Sequence, residues 1–195
     1  MAIHTLMDRL YESIENDKIT LGIFIDFSRA FDTISHDILL NKLQFYGFRG
    51  KAHDWIKNYL TNRKQFVAYN NSHSQLGNVT IGVPQGSILG PLLFLLYVND
   101  IYAISKEMSC IQFADDTTLF TSGNNLTDLA CVVNTELRTI NEWINLNKLS
   151  LNIAKTSYMV ISGSSRKFDN NTCKIRINDQ CIERVNQTKF FKGHH

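Results

Sequence analysis

Two adjacent carboxylates, Asp115 and Asp116, sit in Phe113-Ala114-Asp115-Asp116, between the strand-like runs Ser109 to Gln112 and Thr117 to Phe120. Like charges at a hairpin tip repel each other, and a divalent cation beside them is the simplest remedy. A third acid, Asp26, ends the apolar run Thr20 to Ile25. Acids at the ends of neighbouring strands converge on metal, which is the minimum equipment for moving a phosphoryl or nucleotidyl group with two ions. Each acid alone also fits a plainer place, Asp26 as a polar strand end and the pair as a charged turn.

The elements that must position these acids are legible from periodicity. Ile3, Leu6, Leu10 and Ile14 share one helical face. A strand over about 19 to 27 follows and carries Asp26. Ser35 is placed to cap a helix containing Ile38, Leu39 and Leu43 that Gly47 ends. A second helix over about 51 to 61 carries Trp55, Ile56, Tyr59 and Leu60. Strands are expected over 65–69 and 77–81, then a loop, Gly82 to Ser87, then a buried helix with Pro91 in its first turn. The carboxylate hairpin spans roughly 109 to 121. From Thr127 to Asn145, Leu129, Val133, Leu137, Ile140 and Ile144 mark an amphipathic helix whose apolar face should cover the sheet holding the acids. A strand at Tyr158 to Ile161 and a small hairpin from Cys173 to Ile182 complete an α+β pattern.

With 195 residues, 44% hydrophobic and 19% charged, the chain suits one globular domain with a full core and not a disordered tract. Residues 1–149 hold 12 basic and 15 acidic side chains, whereas 150–195 hold 8 and 3. A further basic stretch contains Lys42, Arg49, Lys51, Lys57, Arg63 and Lys64 against Asp54 alone. Basic flanks around an acidic centre suit a protein that holds polyanion beside metal, although two solvated faces would give the same distribution. Trp55, Tyr59, Phe66 and Tyr69 interleave with these cations as on nucleic-acid surfaces, while Trp55 itself is expected in the core. The four cysteines show no zinc-type spacing. Cys110 and Cys131 lie in apolar-periodic segments and are expected as buried free thiols, which fits an intracellular reducing compartment, nucleus or cytoplasm. No signal peptide opens the chain, and the longest apolar run, Ile88 to Val98, is too short to span a bilayer.

Several blocks then fall into a familiar order. Phe24-Ile25-Asp26-Phe27-Ser28-Arg29-Ala30-Phe31-Asp32 resembles motif A of reverse transcriptases, Gly82 to Phe94 (opening Gly-Val-Pro-Gln-Gly-Ser) resembles motif B, and Phe113 to Asp116 motif C. Leu151 to Thr156 is similar to motif D, and Thr188 to Gly193 to a damaged motif E. The wording is closest to the polymerases of non-LTR, LINE-type, Jockey-like retrotransposons, especially at Ala30-Phe31-Asp32 and Asn99-Asp100-Ile101. A lone Asp-Asp pair arises easily by chance; three blocks in order do not.

The resemblance implies a right-hand polymerase palm, an antiparallel sheet packed on helices, with partial fingers and the thumb missing. It implies an RNA-directed DNA polymerase that uses two Mg²⁺ ions, with Mn²⁺ as a substitute. Asp26, Asp115 and Asp116 would be the metal ligands, and Lys155 would give a proton to pyrophosphate. Phe27, Phe31, Gln85 and Gly86 would bind substrate, with Phe31 crowding a ribose 2′-hydroxyl and thereby also arguing against an RNA-making polymerase. The partners would be an RNA template, a DNA primer and dNTPs, with no membrane. The chain starts just ahead of the helix before motif A and stops inside motif E, so a fragment lacking upstream fingers, thumb and endonuclease is expected. A truncated, inactive remnant that at most binds nucleic acid is the alternative.

Overall fold

The computed structural model describes residues 2–113, 116–163, 168 and 173–187. In chain order the elements are α1 (Ala2–Glu15), β1 (Ile19–Ile25), α2 (His36–Phe45), α3 (Lys51–Leu60), β2 (Lys64–Gln65), β3 (Ala68–Tyr69), β4 (Ser72–His73) and β5 (Gly77–Asn78). There follow α4 (Leu89–Val98), a 3₁₀ turn over Asn99–Ala103, β6 (Ser109–Phe113), β7 (Asp116–Gly123), α5 (Leu126–Leu146), β8 (Ser157–Ile161), β9 (Arg176–Ile177), β10 (Gln180–Cys181) and β11 (Glu183–Arg184). They fall into two compact units, one formed by residues 1–28 with 100–195 and the other by residues 29–99.

The first unit is built on a five-stranded sheet in the order β11-β8-β1-β7-β6. Its central strand, β1, reads Ile-Thr-Leu-Gly-Ile-Phe-Ile and is buried on both sides at nearly every position, as a strand with neighbours on both edges must be. β1 pairs antiparallel with β7 and β8, and β6 pairs antiparallel with β7. The sheet is mixed and not wholly antiparallel, because β11 runs parallel to β8. A two-residue edge strand leaves little periodicity to read, which is why the sequence pattern missed it.

The two faces of this sheet carry different helices. Thr20 stands opposite Ser122 in the register, and its hydroxyl meets Ser122 Oγ at 2.7 Å and donates to Ser13 Oγ of α1 at 2.8 Å. The next rung, Ile19 opposite Gly123, lies under Leu129 of α5; a Cβ on Gly123 would come within 3.1 Å of that leucine. Successive rungs point to opposite faces, so α1 and α5 cover opposite sides. In α1, Leu6 and Ser13 face inward and Ile14 is exposed, which narrows the expected apolar stripe. Asn125 starts α5 by accepting the Thr127 amide on its side chain at 2.8 Å. Leu129, Val133, Leu137, Ile140 and Ile144 are all buried, as their spacing requires. Cys131 is exposed and not buried, because it sits off that stripe; Cys110 is partly buried. Burial pushes the Cys110 thiol up to about 12.

The second unit packs α2, α3 and α4 together. α2 ends as its Gly47 predicts: at φ +93° the chain reverses, with Phe48 N donating to Leu43 O and Gly47 N to Gln44 O. Ser35 precedes α2 but makes no side-chain cap; its backbone bridges to Ile81 instead. In α3, Ile56 and Leu60 point inward. Trp55 is 58% exposed and stacks on Tyr59 with ring centroids 6.2 Å apart, so its expected core position is wrong. The reason is helical phase: 56 and 60 share one face, and 55 and 59 share the next. The two strands expected over 65–69 and 77–81 form a broken hairpin, β2 with β5 and β3 with β4. In α4, Leu93, Phe94, Tyr97 and Val98 are buried, which explains its continuous apolar run.

Candidate active site

Asp26 is placed by the strand before it. The β1–β7 ladder runs from Ile19 opposite Gly123 to Ile25 opposite Thr117. The ladder stops one residue short of Asp26 and of Asp116, the first residue of β7. Alternation along β7 puts Asp116 on the Ser122 face, opposite α5. The β6–β7 pairing ends at Phe113 opposite Asp116. Asp115 lies outside the described residues, as does the motif E-like segment from Thr188.

Asp26 does not continue pairing with β7; its backbone turns to the other side. Its amide donates to Thr156 Oγ1 at 3.3 Å, and its carbonyl accepts from Asn152 N at 2.8 Å. Phe27 bridges Leu151, and Ser28 N donates to Ser150 O at 2.8 Å. Thr156 is 1% exposed and passes its own hydroxyl proton to Asn152 O at 3.0 Å. The turn from Asn152 to Thr156 therefore clamps the end of β1. Thr156 and Asn152 were present in the motif D block, but no spacing argument reveals a hydroxyl that seats another residue's backbone. Lys155 lies in the same turn with its side chain exposed, and the Phe27 ring is buried.

The half-buried Asp26 carboxylate has no hydrogen bond or ion pair among the described residues, and Asp116, also half-buried, stands at the neighbouring strand end. Hard carboxylate oxygens such as that of Asp26 are the donors that suit a divalent cation. Among the described residues no group of three or more His, Cys, Asp or Glu side chains gathers to hold a metal; a third acid would have to come from Asp115.

The remaining expected site residues belong to the second unit. Phe31 is half-buried, its ring tilted against Phe94 at 5.3 Å. Its carbonyl accepts from Val83 N at 2.8 Å, and Ile34 O accepts from Gly82 N at 2.8 Å. Gln85 is exposed and donates its amide to Asp32 Oδ1 at 2.8 Å. Gly86 has φ +77°, a conformation that a side chain resists, and a Cβ there would meet nothing within 4 Å. Beside Gln85 opens a cavity of about 520 Å³ lined by Asp32, Arg63, Gln65, Asn78 and Gln85. The Arg63 Nη1 atom is buried and has no hydrogen-bond partner among the described residues.

Comparisons with known proteins converge. The family model described as reverse transcriptase (RNA-dependent DNA polymerase) matches residues 2–190. A probable RNA-directed DNA polymerase from transposon BS of Drosophila melanogaster is 30% identical over 79% of this chain and 18% of its own length. The RNA-directed DNA polymerase from mobile element jockey of the same organism is 26% identical over 78% of this chain and 17% of its own. The chain thus spans less than a fifth of the length of these curated relatives. Among solved structures, telomerase from Candida tropicalis in complex with a fragment of telomeric RNA matches with a TM-score of 0.61 and 14% identity, covering 90% of this chain and 34% of that one. An apo form from the same organism gives 0.55 and 16%, covering 85% and 37%. These likenesses support the fold.

Proposed function

This chain belongs to the reverse transcriptase family and is related to the RNA-directed DNA polymerases of Jockey-like, non-LTR retrotransposons; from that premise we propose that it forms the palm and part of the fingers of such a polymerase. It adds deoxynucleotides to the 3′-hydroxyl of a DNA primer on an RNA template. The observation that carries this reading is the β1–β7 ladder, which ends at Ile25 and Thr117, the residues next to Asp26 and Asp116, in the chain order that the family's motifs require.

Asp26 and Asp116, joined by Asp115, would hold divalent magnesium. When bound, the ions lower the pKa of the attacking hydroxyl and neutralise charge on the triphosphate. The chain's own residues position the reactants. Thr156 and Asn152 fix the backbone of Asp26, so its carboxylate needs little reorganisation during reaction. Phe31, braced by Phe94, forms the wall that a 2′-hydroxyl would strike. Gln85, oriented by Asp32, offers donor and acceptor groups to the nascent pair, and Gly86 lets backbone approach it. Lys155 gives a proton to the departing pyrophosphate. Phe27 contributes by seating the strand end and not by its ring. Arg63 and the cavity beside Gln85 take the polyanionic strand.

Primer extension on an RNA template with Mg²⁺ tests the reading, using this chain and the longer protein that contains it. Extension that disappears in Asp26→Asn is expected. Extension unaffected by Asp26→Asn, or none from either form, would overturn the reading and leave an inactive remnant.

A further inference from the structure

We propose that His36 is a positioning residue that holds the Gly82 peptide and thereby sets discrimination between deoxy- and ribonucleotides. The proposal rests on the polymerase reading above. His36 opens α2, is 7% exposed, and places Nε2 at 2.8 Å from Gly82 O. A carbonyl only accepts, so the ring must carry its proton on Nε2 and donate it. Gly82 is buried, and its carbonyl would otherwise face a penalty for lying unpaired in the interior.

The same peptide is held from two further directions. Gly82 N donates to Ile34 O, and Val83 N donates to Phe31 O, each at 2.8 Å. Residues 31–36 and 81–85 are therefore two short runs cross-linked at several rungs, with Gln85 on Asp32 as the outermost. Phe31 and Gln85 lie at one end of this lattice, on Val83 and Asp32, and the His36 rung lies towards the other. The backbone rungs survive any ordinary substitution, whereas the His36 rung depends on one side chain. Removing it loosens the Gly82 peptide that leads into the Val83–Phe31 rung, and a small displacement of Phe31 is enough to admit a 2′-hydroxyl.

The test compares wild type, His36→Leu and His36→Gln, since a glutamine amide reaches close to the Nε2 position and restores the donor. Hydrogen exchange across residues 80–87 should quicken about tenfold or more in His36→Leu and return towards wild type in His36→Gln. A merely structural loss would also quicken exchange in the β1–β7 ladder; here that ladder should stay protected. In primer extension, the kcat/KM preference for a deoxynucleotide over its ribonucleotide should fall in His36→Leu and recover in His36→Gln. Wild-type exchange in His36→Leu, an unchanged sugar preference, or failure of His36→Gln to rescue would each overturn the proposal. If the wild type extends no primer, the polymerase reading and the discrimination role fall together. The exchange measurement still decides whether His36 holds the loop.

Discussion

Gly82 and Gly86 have nearly the same backbone conformation, φ +79° and +77°, yet their surroundings differ. Substituting alanine at each separates the cost of the conformation from the cost of contact. At Gly86 a Cβ meets nothing within 4 Å, so Gly86→Ala carries only the left-handed penalty, about 1–2 kcal/mol. At Gly82 a Cβ would lie 2.8 Å from Asp32 O, 3.0 Å from Asp32 Cα and 3.0 Å from Phe31 O, all backbone atoms. The loop must then move by several tenths of an ångström, straining the bonds to Ile34, Phe31 and His36. Overpacking of this kind costs about 1–3 kcal/mol, and each weakened hydrogen bond about 1 kcal/mol more. With one bond weakened, Gly82→Ala should therefore lose about 3–6 kcal/mol, on the order of 2–4 kcal/mol more than Gly86→Ala. Urea unfolding followed by circular dichroism reads both numbers directly. Equal losses within about 0.5 kcal/mol would refute the claim that the motif B loop rests on the backbone of residues 31–32.

Phe31→Val should raise ribonucleotide incorporation on the order of tenfold or more in primer extension, and unchanged sugar selectivity would remove Phe31 as the gate. Thr156→Val deletes a hydroxyl that accepts from Asp26 N and donates to Asn152 O. A loss of about 1–3 kcal/mol in unfolding and a fall in kcat are expected, both reversed in Thr156→Ser. Cys110 has its thiol raised from 9.0 to about 12 by burial, so the folded chain keeps a proton that the unfolded chain releases. Stability present below pH 9 is therefore lost as pH climbs from 9 towards 12. By pH 10.5 the loss from this thiol should reach about 2 kcal/mol relative to pH 7, and urea titrations of Cys110→Ala should show a flatter decline. Tyr158, raised from 10.0 to about 12 by burial first and by Cys173 second, adds a smaller decline of the same sign to both proteins.

The long elements and the order of the site blocks were legible in the residues alone, because burial imposes periodicity on anything longer than two turns or five strand residues. The apolar run of β1 with Asp26 at its end, the stripe of α5 and the Schellman-type stop at Gly47 all stand where their patterns place them. Local pattern has no access to phase against a neighbour. It put Trp55 and Cys131 inside, although each lies one step off the buried stripe of its helix. It gave Ser35 a side-chain capping role, whereas that side chain makes no cap bond and the residue instead sits in a bridge opposite Ile81. His36 looked like one scattered histidine until Gly82, 46 residues later, supplied its partner.

Residue types and their order set out the groups available: three acids next to apolar runs, Phe31 in the block after Asp26, a glycine-rich loop and a basic flank. Tertiary structure decided which atoms meet. The β1–β7 register ends at Ile25 opposite Thr117, the residues next to Asp26 and Asp116, and a slip of one residue would turn the side chains of β1 to the other face of the sheet. The seats supplied by Thr156 to Asp26 and by His36 to Gly82 arise from hydrogen bonds across 130 and 46 residues of chain. Such bonds depend on distance in space, to which sequence separation is no guide.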